Sequence, residues 1–370
     1  MAETRIEYSP HVGRRIRLGS WEDQKISTYR KIREAIEDGH FDQAAKLASY
    51  FVDEARVCFQ IYRQWIPDLN AFLAENGVPR DELDRLNAEI VAKLDLPDGR
   101  PWDPYRQWDD FVNRIDDLVG SIHKERIEEA LATLDEAKEA WRRCHDRDVD
   151  HTYGLMSEIV ASLGEHRIGD MWNMVLLPLF AWRYEKFDID KHAWEEGLEV
   201  LMLVACEAMR GHLVGPERTG DFELIETDDR YILRFDPCAS GGRTIRGDTI
   251  EGTPARMEPP YNWSVSSEPH PWNHFQTGVC HYCTHCIALM EELPIDRFGY
   301  PVRVIDPPRY GAVDEDGRPE KCQWQMFKNP TQVPEEYYAR CGRTKPDRFG
   351  SRALGSPDLP DMKAGMPGAG

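Results

Sequence analysis

No stretch of the 370-residue chain approaches the roughly 18 uninterrupted apolar residues that a membrane-spanning helix needs. The nearest, Met171 to Trp182, is shorter and contains Pro178. The first twenty residues, MAETRIEYSPHVGRRIRLGS, carry charge but no apolar core, so no secretory signal is expected and the location expected is cytoplasmic. Basic charge is scarce: 46 Lys+Arg against 66 Asp+Glu leave a net charge of −20, spread through both halves. Binding a phosphate backbone needs a basic surface, so nucleic acid and anionic membrane are poor partners. The acidity acts to keep the protein soluble.

Several common motifs are also missing. Neither G-x-G-x-x-G nor G-x-x-x-x-G-K-[ST] occurs, so NAD, FAD and ATP lose their usual anchor and no nucleotide cofactor is expected. No G-x-S-x-G elbow is present, which removes the commonest serine hydrolase. The zinc deaminase signature, H-x-E followed by P-C-x-x-C, is not met, because Glu268 precedes His270 and no proline precedes Cys280 or Cys283.

What remains is an ordinary globular composition, 41% hydrophobic and 30% charged, long enough for two domains. The expected fold is α+β: an N-terminal all-α helical bundle over 1–215, a smaller loop-rich, cysteine-containing α+β domain over 216–349, and a disordered tail over 350–370. Ser20 is placed to cap a first helix through Glu37, with Gly39 as its stop. In 41–69, Phe41, Ala45, Ala48, Phe51, Ala55, Phe59, Tyr62 and Ile66 recur at helical spacing, and Pro67 is expected to kink or end that helix. Residues 126–154 resemble 41–69 weakly, and shared helix composition explains the likeness equally well. A short helix starts at Asp81, two or three fill 105–164, and two apolar ones span 172–187 and 193–210. Beyond 212–221 glycine and proline become frequent. FELIE, RYILRF, PVRVI and QWQMF read as strands, with one helix from Thr284 to Glu292. The tail is rich in Gly and Pro and has little to bury.

The nine cysteines are an odd number without a secretory context, which disfavours a disulfide framework. Cys58, Cys144 and Cys206 are scattered and read as core. Cys280, Cys283 and Cys286 stand three apart, with His281 and His285 between them. Two intervening residues let a turn of backbone present successive sulfurs to one metal. The expected metal ligands are Cys238, Cys280, Cys283 and Cys286. Cys322, Cys341, His270 and His274 are alternatives to Cys238. The double C-x-x-C spacing with a remote fourth cysteine also suits a 4Fe-4S cluster. The interleaved histidines tip the reading slightly toward zinc, which accepts mixed Cys/His sets.

Around this cluster, Gly241 and Gly242 in DPCASGGR can turn backbone N–H groups inward as an anion nest. Arg243 and Arg246 can clamp a carboxylate, although a plain tight turn reads equally well. His270, His274 and His285 are candidates for general base or replacement ligand. In CHDRDVDH (144–151), His145, Asp148 and His151 share a helix face, but the plainer reading is a polar helix end. His212 stands at the domain junction, and Trp263 and Trp272 are candidates to line a pocket. The expected function is a cytoplasmic metal-dependent enzyme, with zinc-assisted hydrolase or lyase chemistry on a small organic substrate, carboxylated if the arginines bind it. The alternatives are an iron–sulfur redox protein using the same cysteines, and a non-enzymatic helical scaffold with a structural zinc.

Overall fold

The computed structural model describes residues 4–96 and 99–357. It opens on an antiparallel hairpin, β1 (Arg5–Ser9) and β2 (Arg14–Leu18), which the charge-rich sequence does not announce. Ser20 caps only a single turn, α1 (Trp21–Gln24). Ser27 then caps α2 (Thr28–Glu37), accepting from the N–H of Arg30. The one helix expected from Ser20 to Glu37 is therefore two, because a second capping serine restarts it. Gly39 takes the left-handed φ of +76° that ends α2.

Long helices follow: α3 (Phe41–Glu75), α4 (Arg80–Val91), α5 (Pro104–His123), α6 (Ile127–Leu163), α7 (Arg167–Arg183) and α8 (Trp194–Gly211). Pro67 does not end α3, and Pro178 lies inside α7. A proline removes one hydrogen bond from a helix. In α3, Tyr62 and Trp65 before Pro67, and Leu69, Phe72 and Leu73 after it, are buried in one core that holds the helix together across the break. The weakly similar segments 41–69 and 126–154 lie in α3 and α6. Among the described residues no helix is long and apolar enough to cross a membrane.

The later part is mixed. Strands β3 (Glu223–Glu226), β4 (Arg230–Phe235), β5 (Val304–Asp306) and β6 (Cys322–Phe327) form one antiparallel sheet in the order β3-β4-β6-β5. All four overlap the segments expected as strands, with β5 running one residue past its segment and β6 starting one residue before. Between β4 and β5 lie α9 (Gly241–Arg246), α10 (Thr284–Ile287), a π-helical turn (Ala288–Glu292) and α11 (Leu293–Phe298). The helix expected over Thr284 to Glu292 is thus α-helical only in its first turn. Two short helices, α12 (Glu335–Ala339) and α13 (Ser351–Leu354), are the last among the described residues. Helix α13 lies where a disordered tail was expected. It is held because Ser351 is buried and its N–H donates to Asp188 at 3.1 Å. Residues 358–370 lie outside the described residues.

A single cluster of buried apolar residues draws on the helical part and the sheet part alike. Hydrogen bonds cross between them at several points. Trp172 Nε1 donates to Thr284 Oγ1 at 2.7 Å, Tyr153 to the Ser264 carbonyl at 2.6 Å, and Trp194 Nε1 to the Phe327 carbonyl at 3.2 Å. The cysteine-bearing loops lie along this seam.

Candidate metal centre

The sheet register begins the site. Phe235, the last residue of β4, pairs with Cys322 at the start of β6. Three residues on, Cys238 enters the turn that starts α9. Cys280 and Cys283 lie in the loop leading into α10 and Cys286 lies within it; Thr284 of that helix is anchored to α7 through Trp172. These anchors bring Cys238, Cys280, Cys283, Cys286 and Cys322 close enough for their charges to act on one another. Burial pushes the Cys286 thiol well up, and the charge of Cys238 pushes it further. Cys322 is raised by burial and then by Cys238 and Cys286. The hydrogen bond to Cys280, then burial, then the charges of Cys280 and Cys238 raise Cys283 well above an ordinary thiol.

One of the sulfurs is prepared as an anion, and a second is met by backbone N–H groups. Burial pushes Cys280 up. Hydrogen bonds from Cys283, from Thr244 at 3.4 Å, and from the N–H groups of Cys283 and Tyr282 outweigh it and bring the thiol down to about 7. Cys238 receives the N–H groups of Ser240, Gly242 and Gly241, although its burial leaves the thiol raised. The glycine nest expected for a substrate anion therefore exists, but it faces the sulfur of Cys238. Such N–H···S bonds are what a metal-bound thiolate needs in a dry interior.

Gly241 is required by a close approach. A Cβ there would overlap the Cys283 sulfur and come within 3.6 Å of that of Cys280. Gly241→Ala is therefore expected to displace Cys283 and to abolish metal retention by the four cysteines while the chain stays folded. Metal analysis beside circular dichroism reads both effects, and full metal content in this variant removes Cys283 from the ligand set.

The proposed anion clamp is corrected. Arg243 is fully buried, with Nη2 donating to Asp150 at 2.6 Å and to the Asp146 carbonyl at 3.1 Å. Arg246 pairs with Asp236 and donates to the Glu320 carbonyl. Both arginines are committed to protein acceptors, because a sequence shows a charge but not its partner.

The segment 144–151 is also corrected. It sits in the middle of α6 and is buried. Asp146 accepts two bonds from Arg218, at 2.6 and 3.1 Å, and one from Arg142 at 3.1 Å. Burial would raise its carboxyl, but Arg218 and Arg243 hold it well below the usual carboxylate range. An ionised Asp146 accepts from His145 Nδ1 at 2.9 Å. His145 Nε2 is then the acceptor for His212 Nδ1 at 2.7 Å. Tyr62 lies 3.4 Å from the same Nε2, and its hydroxyl meets that of Tyr282 at 2.9 Å. Both tyrosines also share hydrogen bonds with Ser240. A continuous polar chain thus runs from Asp146 through His145, Tyr62 and Tyr282 to the loop that carries Cys238. Tyr62, Tyr282, Ser240 and Arg218 carry no sequence signal for this role.

The three candidate histidines lie in three different places. His285 sits among Trp65, Trp172 and Tyr282, with ring centroids 5.0, 5.6 and 4.8 Å away. Its Nδ1 donates to the Tyr282 carbonyl at 2.5 Å, and Nε2 lies 3.3 Å from Cys286 Sγ, where it accepts the thiol proton. Burial lowers it to about 4. His270 stacks on Trp272 with centroids 4.5 Å apart, its Nε2 3.7 Å from Glu165. His281, beside Glu165, is fully buried with neither ring nitrogen hydrogen-bonded. His274 belongs with Glu291 and Cys341. The ligating atoms of those three all lie within 4.8 Å of one another, the one such group of three among the described residues, and it could hold a metal ion. Cys341 and His274 are therefore not partners of the trio.

Trp263 packs on Tyr153 and Tyr261. A pocket of about 180 Å³ is lined by Lys93, Arg147, Asp150, Glu251, Arg256 and Tyr261 among others, and neither Trp263 nor Trp272 lines it. Comparison with protein-family models, with curated proteins and with solved structures finds no match.

Proposed function

We propose that this chain is an iron–sulfur protein in which Cys238, Cys280, Cys283 and Cys286 hold a four-iron cluster used for electron transfer. The observation that carries the reading is the set of backbone N–H groups aimed at the sulfurs of Cys238 and Cys280. The spacing along the chain supports iron over zinc: three cysteines, each three residues from the next, with a remote fourth are the ligand pattern of a four-iron cube.

The cluster would supply one-electron chemistry. The chain's own residues exclude water from it, donate N–H groups to its sulfurs and hold protons nearby at His145, His212, Tyr62 and Tyr282. The second reading, zinc-assisted hydrolase or lyase chemistry, draws support from His285 beside Cys286.

Protein purified without air is expected to contain about four irons and four sulfides per chain, with broad visible absorption that bleaches on reduction. Cys283→Ala is expected to lose both metal and colour. A colourless protein carrying zinc at these cysteines would return the assignment to zinc chemistry, and the absence of either metal would sink both.

A further inference from the structure

We propose that His274, Glu291 and Cys341 form a second metal site, for zinc, that shares no ligand with the cysteine cluster. Three separate segments converge there: the turn after Pro271–Asn273, the π-helical turn, and the residues just past α12. All three side chains are buried. The buried His274 Nε2 faces Glu291 Oε1 at 3.3 Å and has no hydrogen bond of good geometry, so this ring nitrogen points into the group. His274 holds its ring there from a left-handed backbone, φ +55°, a conformation that an ordinary side chain adopts only when its surroundings impose it. The π-helical turn inserts the extra residue that swings Glu291 inward, a device frequent at functional sites.

One nitrogen, one carboxylate and one sulfur make a borderline-soft donor set that suits zinc. The neighbouring charges balance. The thiolate and carboxylate cancel the dication, and Arg340, which donates to Glu291 at 2.9 Å and to Asp306 at 2.8 Å, is neutralised by Asp306. Arg340 and the N–H of Ile305, at 2.7 Å, fix the carboxylate's orientation as outer partners of a metal ligand do. Without metal the Cys341 thiol donates to Glu291 at 3.4 Å. Zinc takes the sulfur's lone pair, and the thiol proton leaves to solvent.

The test is zinc-edge X-ray absorption on the full chain after zinc supplementation, with iron counted in the same sample. About one zinc per chain is expected, with one sulfur at about 2.3 Å and nitrogen or oxygen at about 2.0 Å. Cys341→Ser should remove that sulfur, and His274→Gln should weaken zinc binding at least tenfold, with iron unchanged in both. An all-sulfur zinc shell, or no zinc bound, overturns this site, and the all-sulfur shell overturns the iron cluster as well. Iron-free protein that keeps the mixed zinc shell overturns the cluster alone. Should either variant fail to fold, the wild-type spectrum decides.

Discussion

Replacing Asp146 by alanine is expected to lower the stability of the folded protein by about 3–5 kcal/mol, the range for breaking a buried ion pair by removing one partner. Folded domains hold about 5–15 kcal/mol in total, so this one substitution takes about a fifth of the margin or more. The carboxylate is fully buried among Arg142, Arg218 and Arg243. After its removal Arg142 keeps Glu139 and Glu251, and Arg243 keeps Asp150. Arg218 retains only the Leu213 carbonyl at 2.8 Å and Asp248 at 3.9 Å, which is too little for a charge out of water. Urea denaturation of Asp146→Ala beside Asp146→Asn measures the loss. Because asparagine keeps the shape and part of the bonding, it should cost less than alanine. An alanine variant within about 1 kcal/mol of the parent would mean that water reaches these arginines.

That ion network explains why the two parts of the chain behave as one core. Asp146 and Asp150 stand one turn apart on α6, and apart from Arg142 on the same helix the arginines that satisfy them come from beyond residue 217. Arg243 belongs to the same helix as Gly241 and Gly242, whose N–H groups face Cys238. Fixing Arg243 therefore also fixes the nest. The position of one proposed metal ligand depends on a carboxylate in the opposite part of the chain.

The elements that could be read from the sequence are those whose signal is local. The four strands, the long amphipathic helices and the C-x-x-C-x-x-C run each carry period or spacing within a few residues. The hairpin at β1 and β2 could not, since RIEYS and RRIRL alternate charge with few apolar residues, and Arg17 is buried by pairing with Thr28 and the Ile26 carbonyl. The segment 144–151 reads as a solvated helix end because its charges are visible, whereas Arg218 and Arg243 lie far along the chain. Glu291 is similar. Nothing in ALMEEL distinguishes it from Glu292, and only the π-helical turn sends the first inward and leaves the second to Arg343.

The second large effect expected is a loss of stability in mild acid. His151 is buried and lowered to about 4 by burial and then by Arg63. Burial also lowers His145, and burial with the neighbouring His145 takes His212 well down. In the unfolded chain each titrates near its ordinary value of about 6.5. A group whose folded pKa is depressed in this way contributes its full stability above about pH 6.5 and loses it as the pH falls toward 4, because the unfolded state takes up the proton first. Asp148 acts in the opposite sense. Burial, opposed by Arg63, raises it to about 7, so the folded state binds that proton first and gains about one group's worth as the pH drops. The histidines lowered by burial, with His281 and His285 also brought to about 4, outnumber Asp148, so the unfolded chain takes up the net protons, each worth about 1.4 kcal/mol per pH unit. Urea midpoints between about pH 7 and 5 should therefore fall steeply. His151 donates through Nε2 to Asn87 at 3.1 Å while its Nδ1 has no partner. His151→Gln should keep that donor and remove one proton from the slope. A midpoint that holds level or rises toward pH 5 would mean that these imidazoles are charged in the folded protein.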